Sequence, residues 1–310
     1  MNPIDGTPPL PPEPRPGSEN EAPNEEPGFP PADPPEALHA IGSEPQFAPS
    51  PPRPAYPVDL QITWSWPHFL IFILFGFISL VVIQLAMASY LAPKTHLSSA
   101  DLEKYLISNP KFSIGSMLIW YAALFFFLYV TLSVLRGHSF WEVLGWRKIR
   151  PKLGELPRNP FVYFIAGCGL SLFVALLSSR MKTPENIPIE ELFKNRNTAL
   201  LFMAMAVFVA PLVEETLFRG YLYPLFARSF GIFPGIVVTG VLFGLMHGAQ
   251  LGWTWGLVSM LILVGIVFTI VRARTGSVFA SYLMHLGYNS LISFFAVLGT
   301  NGFKGLPPGH

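Results

Sequence analysis

The sequence predicts an all-α fold. It is a polytopic membrane helical bundle of about seven transmembrane helices behind a disordered Pro-rich N-terminal tail. Three observations predict it. The chain is 51% hydrophobic and only 13% charged over 310 residues, the profile of a membrane protein. Seven apolar segments follow residue 60, most of them near the roughly 20 residues that a spanning helix needs. Trp64, Trp66, Trp141, Trp146, Trp253 and Trp255 stand near segment ends, where interfacial aromatics belong.

Composition also excludes. A net charge of +1 at pH 7 argues against nucleic acid as a partner. The single cysteine, Cys168, cannot form an internal disulfide, and its apolar surroundings read as inert. Redox chemistry and cysteine-based metal sites are not expected. Met1 to Pro30 lack a basic region and an apolar core, so no cleavable signal peptide is legible and the first hydrophobic segment is expected to act as an uncleaved signal-anchor.

Residues 1–60 are rich in Pro, Glu, Ser and Ala and poor in branched apolar residues. Such a segment buries too little surface to offset its chain entropy. Pro8-Pro9-Leu10-Pro11 is read as part of a solvated tail, since Pro-x-x-Pro patterns arise in any Pro-rich tract. Residues 61–155 hold the first two transmembrane helices and a basic loop, and residues 156–300 hold the rest. The segments are His68–Leu91, Ile114–Leu135, Phe161–Ser179, Ala199–Phe226, Ile232–Gly248, Trp253–Val271 and Val278–Leu298. The fifth is short and Gly-rich and could be partly re-entrant. Its Gly240 and Gly244 fit close helix packing. Twelve Lys and Arg residues fall on one side of this arrangement, with Arg219 and Arg272 among them, and eight on the other. The strongest cluster is Arg136–Arg158, so the tail is expected inside and the C-terminus outside. An integral, multi-pass protein of a bacterial inner membrane is expected.

Charge within hydrocarbon is costly, about 2.5–3.5 kcal/mol per ionised side chain on insertion scales, so an intramembrane ionisable residue reads as a functional site. The fourth segment runs into Glu214-Glu215-x-x-x-Arg219. At 100° per residue Glu215 and Arg219 are i and i+4 neighbours, and Glu214 is rotated away from Arg219. Glu215 is therefore expected to be held ionised by Arg219, and Glu214 is left as the candidate general base or acid. His247 closes Phe243-x-x-x-His247, and His285 opens His285-x-x-x-Asn289. Taken singly, each histidine could equally be an interhelical hydrogen-bonding residue. With two intramembrane glutamates they become each other's expected partners.

A carboxylate and an imidazole can polarise a water for attack on a carbonyl, and a second His with an Asn can donate to the developing oxyanion. The same groups suit a divalent metal such as Zn²⁺, with Glu214, His247 and His285 as candidate ligands. The linear His-Glu-x-x-His signature is absent. Ser259 and Ser281 read as helix-packing residues.

The three motifs in order, each on its own apolar segment, resemble the CPBP family of intramembrane proteases, which includes type II CAAX prenyl proteases and bacteriocin-processing or self-immunity proteins. Arg219-Gly220-Tyr221-Leu222 and Arg274-Thr275-Gly276-Ser277 fit the same family. The resemblance covers roughly Phe161 to Leu298. It implies a helical membrane fold with a cavity open to the cytoplasm. Eukaryotic members cut the last three residues from prenylated Cys-terminal proteins. By matching motif, Glu214 and His247 would activate the water, His285 and Asn289 would stabilise the oxyanion, and Glu215 with Arg219 would support the site. The resemblance implies the activity of an intramembrane endopeptidase, described in the family as a metalloprotease, with a peptide or membrane-associated protein as substrate and membrane lipid as surroundings. Two other readings stay open at this point. One is a catalytically silent scaffold or self-immunity protein. The other is a transporter with a proton relay, which the lack of evident inverted repeats disfavours.

Overall fold

The computed structural model describes residues 57–95, 98, 110–149, 157–181 and 188–307. The chain divides into Met1–Arg53 and Pro54–His310, and every described residue lies in the second unit. The expected tail therefore falls outside the described residues up to Tyr56. All regular structure among the described residues is helical.

Helix α1 is Trp66–Thr95, and α2 is Pro110–Leu128, continued by a π-helical turn over Tyr129–Val134. A short α3, Phe140–Val143, opens the basic loop. Helix α4 is Pro160–Ser178. Its start is specified twice: Pro160 occupies the first turn, and the Asn159 side chain accepts from the Phe161 N–H at 3.0 Å. Helix α5 runs continuously over Arg196–Phe230, capped by Asn195, whose side chain accepts from the Thr198 N–H at 2.8 Å. Gly231, at φ +97°, turns the chain into α6, Ile232–Met246. Helix α7 is Trp255–Thr275 and ends on Gly276 in the left-handed conformation (φ 68°), which a side chain would strain. Helix α8 is Val278–Gly299.

Five helices are long and apolar enough to cross a membrane: Trp66–Tyr90, Phe112–Val134, Pro160–Ser178, Arg196–Phe230 and Trp255–Thr275. Seven were expected. The fifth segment forms only the 15 residues of α6, about 22 Å at 1.5 Å per residue. The last, α8, has the length at 22 residues, but His285, Asn289 and its serines dilute its apolar character. Helix α5 is the central one: 39% of its apolar window is buried, against 11% for α1. The outer faces of α1, α2 and α4 expose Leu70, Phe77, Phe126, Leu172 and Leu176, as lipid-facing surfaces do.

Small residues set the tightest crossings. A Cβ on Gly240 or Gly244 would lie 2.4 Å from Ile266 or Ile262 of α7, so the Gly-rich fifth segment packs as the sequence predicts. The α4–α8 crossing is closer still. A Cβ on Gly167 would stand 1.9 Å from the Met284 carbonyl oxygen, and one on Gly287 would stand 2.1 Å from that of Phe164. Backbone cannot yield as a side-chain tip can. Gly167→Ala is therefore expected to destabilise by about 1–3 kcal/mol or more, read as a lower melting temperature of the detergent-purified protein. Gly169→Ala, with nothing within 4 Å of its Cβ, should leave that temperature unchanged.

Three expectations need correction. Trp64 is not interfacial: it is buried, stacks on Tyr221 with ring centroids 5.2 Å apart, and donates from Nε1 to the Tyr221 carbonyl at 3.2 Å. The packed chain begins ahead of residue 60, because Leu60 is buried and Asp59 pairs with Arg272 at 3.3 Å. Arg219 and Arg272, both counted above as loop cations, are buried in ion pairs. Burial removes them from the charge asymmetry, which narrows from twelve against eight to ten against eight.

Candidate active site

Glu214 sits 18 residues from Arg196 and 16 from Phe230, so it lies about 27 Å and about 24 Å from the two ends of α5. Helix α6 returns from Gly231 and stops at Met246, which delivers His247 to the same level, about 22 Å along. His285 lies in the second turn of α8. Three helices thus bring one side chain each to one depth.

The central helix is not α-helical throughout. Met205–Val209 and Glu215–Leu222 are π-helical turns on either side of the α-helical Ala210–Glu214. Such turns recur at functional sites because they widen the helix locally. The first presents the Ala206 carbonyl to Asn289, whose Nδ2 donates to it at 2.7 Å. The second begins at Glu215. The sequence reading assumed an unbroken α-helix here, and the expected i, i+4 pair forms regardless: Arg219 Nη1 donates to Glu215 Oε1 at 2.9 Å, with both side chains at 0% exposure.

Arg219 is fully enclosed. Its Nη2 donates to the Gly265 carbonyl at 2.8 Å and its Nε to Thr269 Oγ1 at 3.3 Å. The guanidinium lies 4.5 Å from the Phe243 ring centroid and 5.3 Å from that of Phe268, within cation–π range. Gly265 has to be small, because a Cβ there would meet the Gly240 carbonyl at 2.8 Å. A buried arginine with its ion partner, two hydrogen-bond acceptors and aromatic faces has its charge compensated on every side.

The ion pair reaches the site through one histidine. His285 Nδ1 is 3.0 Å from the same Glu215 Oε1. A carboxylate accepts, so Nδ1 carries the proton and Nε2 is turned the other way, 3.8 Å from Glu214 Oε2. His247 is fixed by the same logic. Its Nδ1 is 2.8 Å from the Phe243 carbonyl, which can only accept, so Nε2 holds the free lone pair of the neutral ring. That Nε2 is 3.8 Å from Glu214 Oε1. Each Glu214 oxygen therefore faces one imidazole across a gap too long for a direct hydrogen bond and suited to a bridging water.

Glu214, His247, His285 and Asn289 all line one cavity of about 390 Å³. The rest of its wall is largely apolar, with Phe202, Met203, Met205, Ile292 and Tyr121 among the lining residues. Glu215 and Arg219 do not line it. Of the six residues singled out in the sequence, four face the cavity and two stand behind His285. Ser259 is exposed and bonds its own helix at the Trp255 carbonyl, so it is not a buried packing residue. Ser281 is buried in α8 and bonds the Val278 carbonyl at 3.0 Å.

Sequence reasoning missed the supporting residues. His68, given no role, is buried, and its Nδ1 is 2.8 Å from the Tyr221 hydroxyl. Trp146 Nε1 donates to Thr216 Oγ1 at 3.1 Å. Arg272 Nε donates to the Arg219 carbonyl at 3.2 Å, and its Nη2 to the Asp59 carbonyl at 3.2 Å. One signal was available: Arg272 directly follows the apolar run Leu261–Val271, and a charge placed there calls for a partner.

The donor chemistry of Glu214, His247 and His285 suits a divalent ion. As arranged, no three His, Cys, Asp or Glu among the described residues stand close enough to hold one. No step is therefore routed through a metal.

Comparison with known proteins agrees with the motifs. Residues 196–291 match the family model described as Type II CAAX prenyl endopeptidase Rce1-like, a range that contains all six site residues. A curated Escherichia coli protein, named only as an uncharacterized 24.3 kDa protein, is 27% identical over 152 residues, which are 47% of this chain and 69% of the relative. No solved structure matches the chain. The family match over residues 196–291 and the three ordered motifs within it support a CPBP family intramembrane protease.

Proposed function

We propose that the protein is an intramembrane endopeptidase of the CAAX prenyl protease type, acting in a bacterial inner membrane. The observation that carries this reading is the convergence of Glu214, His247, His285 and Asn289 on one cavity at mid-depth of the bundle. A passive scaffold has no need of a carboxylate flanked by two imidazoles.

In the reaction, a water sits between Glu214 and His247. Glu214 takes one of its protons, and the His247 Nε2 lone pair accepts a hydrogen bond from the other. The hydroxide adds to the scissile carbonyl carbon. The resulting oxyanion accepts from His285 Nε2–H and from the Asn289 N–H not used on Ala206. In this step His285 donates from both ring nitrogens, Nδ1–H to Glu215 and Nε2–H to the oxyanion. When the C–N bond breaks, Glu214 returns its proton to the leaving amine. Water is consumed, and a carboxylic acid and an amine are released.

A reconstituted sample and a library of quenched peptides, prenylated and unprenylated, tests this. Wild type is expected to cleave part of the library, and His247→Ala to lose at least about 100-fold. No cleavage of any peptide, or equal cleavage by the variant, would sink the reading. The same assay addresses Zn²⁺ at Glu214, His247 and His285. The water mechanism expects turnover to persist in metal-free protein after chelation. One ion per chain, lost together with activity, would replace it with a metalloprotease mechanism.

A further inference from the structure

A second cavity lies where α4 and α8 begin. Arg147, Lys148 and Arg158 line it together with Trp146, Ile149 and Phe279, and its volume is about 490 Å³. Among the described residues, three cations and no acidic residue form the polar part of its wall. The backbone beneath is fixed. The Val278 N–H donates to the Gly145 carbonyl at 2.9 Å, and Ser277 Oγ donates to the Arg147 carbonyl at 2.5 Å. Arg147 Nε is itself tied to the Glu142 carbonyl at 3.1 Å. The loop after α3 is thus docked on the α7–α8 turn and holds its cations at one edge. Pro160, the first residue of the 19-residue α4, also lines the cavity, so the positive end of that helix points the same way.

The apolar wall decides the ligand class. Trp146, Ile149 and Phe279 stand beside the cations, at the level where spanning helices start and hydrocarbon gives way to headgroups. A free phosphate has no use for that wall, whereas a phosphodiester carrying acyl chains uses both halves. Basic pockets between membrane helices recognise such headgroups. We propose that this cavity binds an anionic phospholipid, with Arg147, Lys148 and Arg158 on its phosphate and Trp146 and Phe279 against the start of its acyl chains. Trp146 also bonds Thr216, the residue after Glu215, so the bound lipid abuts the helix that carries the candidate base.

Native mass spectrometry of the full chain tests this, with phosphatidylglycerol, phosphatidylcholine or inorganic phosphate added. Wild type is expected to retain phosphatidylglycerol over phosphatidylcholine by about tenfold or more. The triple variant Arg147→Gln/Lys148→Gln/Arg158→Gln should lose that preference. Arg147→Lys/Arg158→Lys, which keeps the charge, and Arg274→Gln, an exposed cation at the end of α7, should retain it. Equal retention of the two lipids by wild type would overturn the proposal. So would an unchanged preference in the triple variant, or inorganic phosphate held as well as the anionic lipid. The two-lipid comparison on wild type decides the matter even where the triple variant does not fold.

Discussion

Replacing Glu214 by glutamine is expected to lower peptide turnover by about 10²–10⁴-fold, the usual contribution of a positioned general base, with little change in melting temperature. Both halves of the result follow from geometry. Glu214 lines the cavity and makes only 3.8 Å approaches to His247 and His285, so no direct hydrogen bond is lost when its charge is removed. The amide keeps the shape and can still hold a water, but it cannot take the proton. Turnover in reconstituted membranes and thermal unfolding in detergent separate the two effects. A Glu214→Gln protein that hydrolyses at the wild-type rate would remove Glu214 from the mechanism. One that is inactive because it unfolds would show that the carboxylate is structural.

Arg219→Met is expected to act in the opposite sense, chiefly on stability. It leaves the Glu215 carboxylate fully buried without its cation, and breaking a buried pair from one side costs about 3–5 kcal/mol. Glu215→Gln should also be less stable while remaining active, because the amide oxygen can still accept from His285. The double variant Glu215→Leu/Arg219→Met removes both charges and is expected to recover most of the lost stability. It should nevertheless stay slow, since His285 then has no acceptor behind Nδ1 to fix its ring. Melting temperatures and turnover of wild type, Arg219→Met, Glu215→Leu and the Leu/Met protein form a double-mutant cycle. Arg219→Met unfolding at the wild-type temperature would contradict the burial described for this pair. A fully active Leu/Met protein would show that His285 needs no anchor.

The pairing of Glu215 with Arg219, apart from Glu214, was legible in the sequence, and its further contacts were not. Spacing alone put Glu215 with Arg219 and set Glu214 apart, and the structure has that pair at 2.9 Å. The His285 contact to Glu215 was not legible, because it joins residues 70 positions apart, and helical periodicity reports only on neighbours within a helix. The π-helical turns were invisible for a related reason: a π-turn differs from an α-turn in its backbone hydrogen bonds, which the residue types of Glu215–Leu222 do not report. Trp64 was misplaced because a tryptophan near a helix end looks the same whether it meets lipid or Tyr221. Seven spans were expected and five described helices have the length and hydropathy of one, because an apolar run such as Ile232–Gly248 carries a membrane signal even where the folded helix is shorter.

That short helix bears on how a hydrolase finds its co-substrate in hydrocarbon. A 15-residue rod falls several ångströms below the roughly 30 Å thickness of a bilayer core, and such mismatch is met by local thinning of the lipid. Beyond α6 the chain closes its own successive turns, with Leu251 N–H on the His247 carbonyl at 3.1 Å and Trp253 N–H on the Gly248 carbonyl at 2.8 Å. Irregular backbone is tolerated at depth when its polar groups are satisfied in this way or line a wet space. Thinning of the lipid beside α6 would bring the interface closer to His247, and so shorten the path of solvent to the half-buried Glu214 carboxylate.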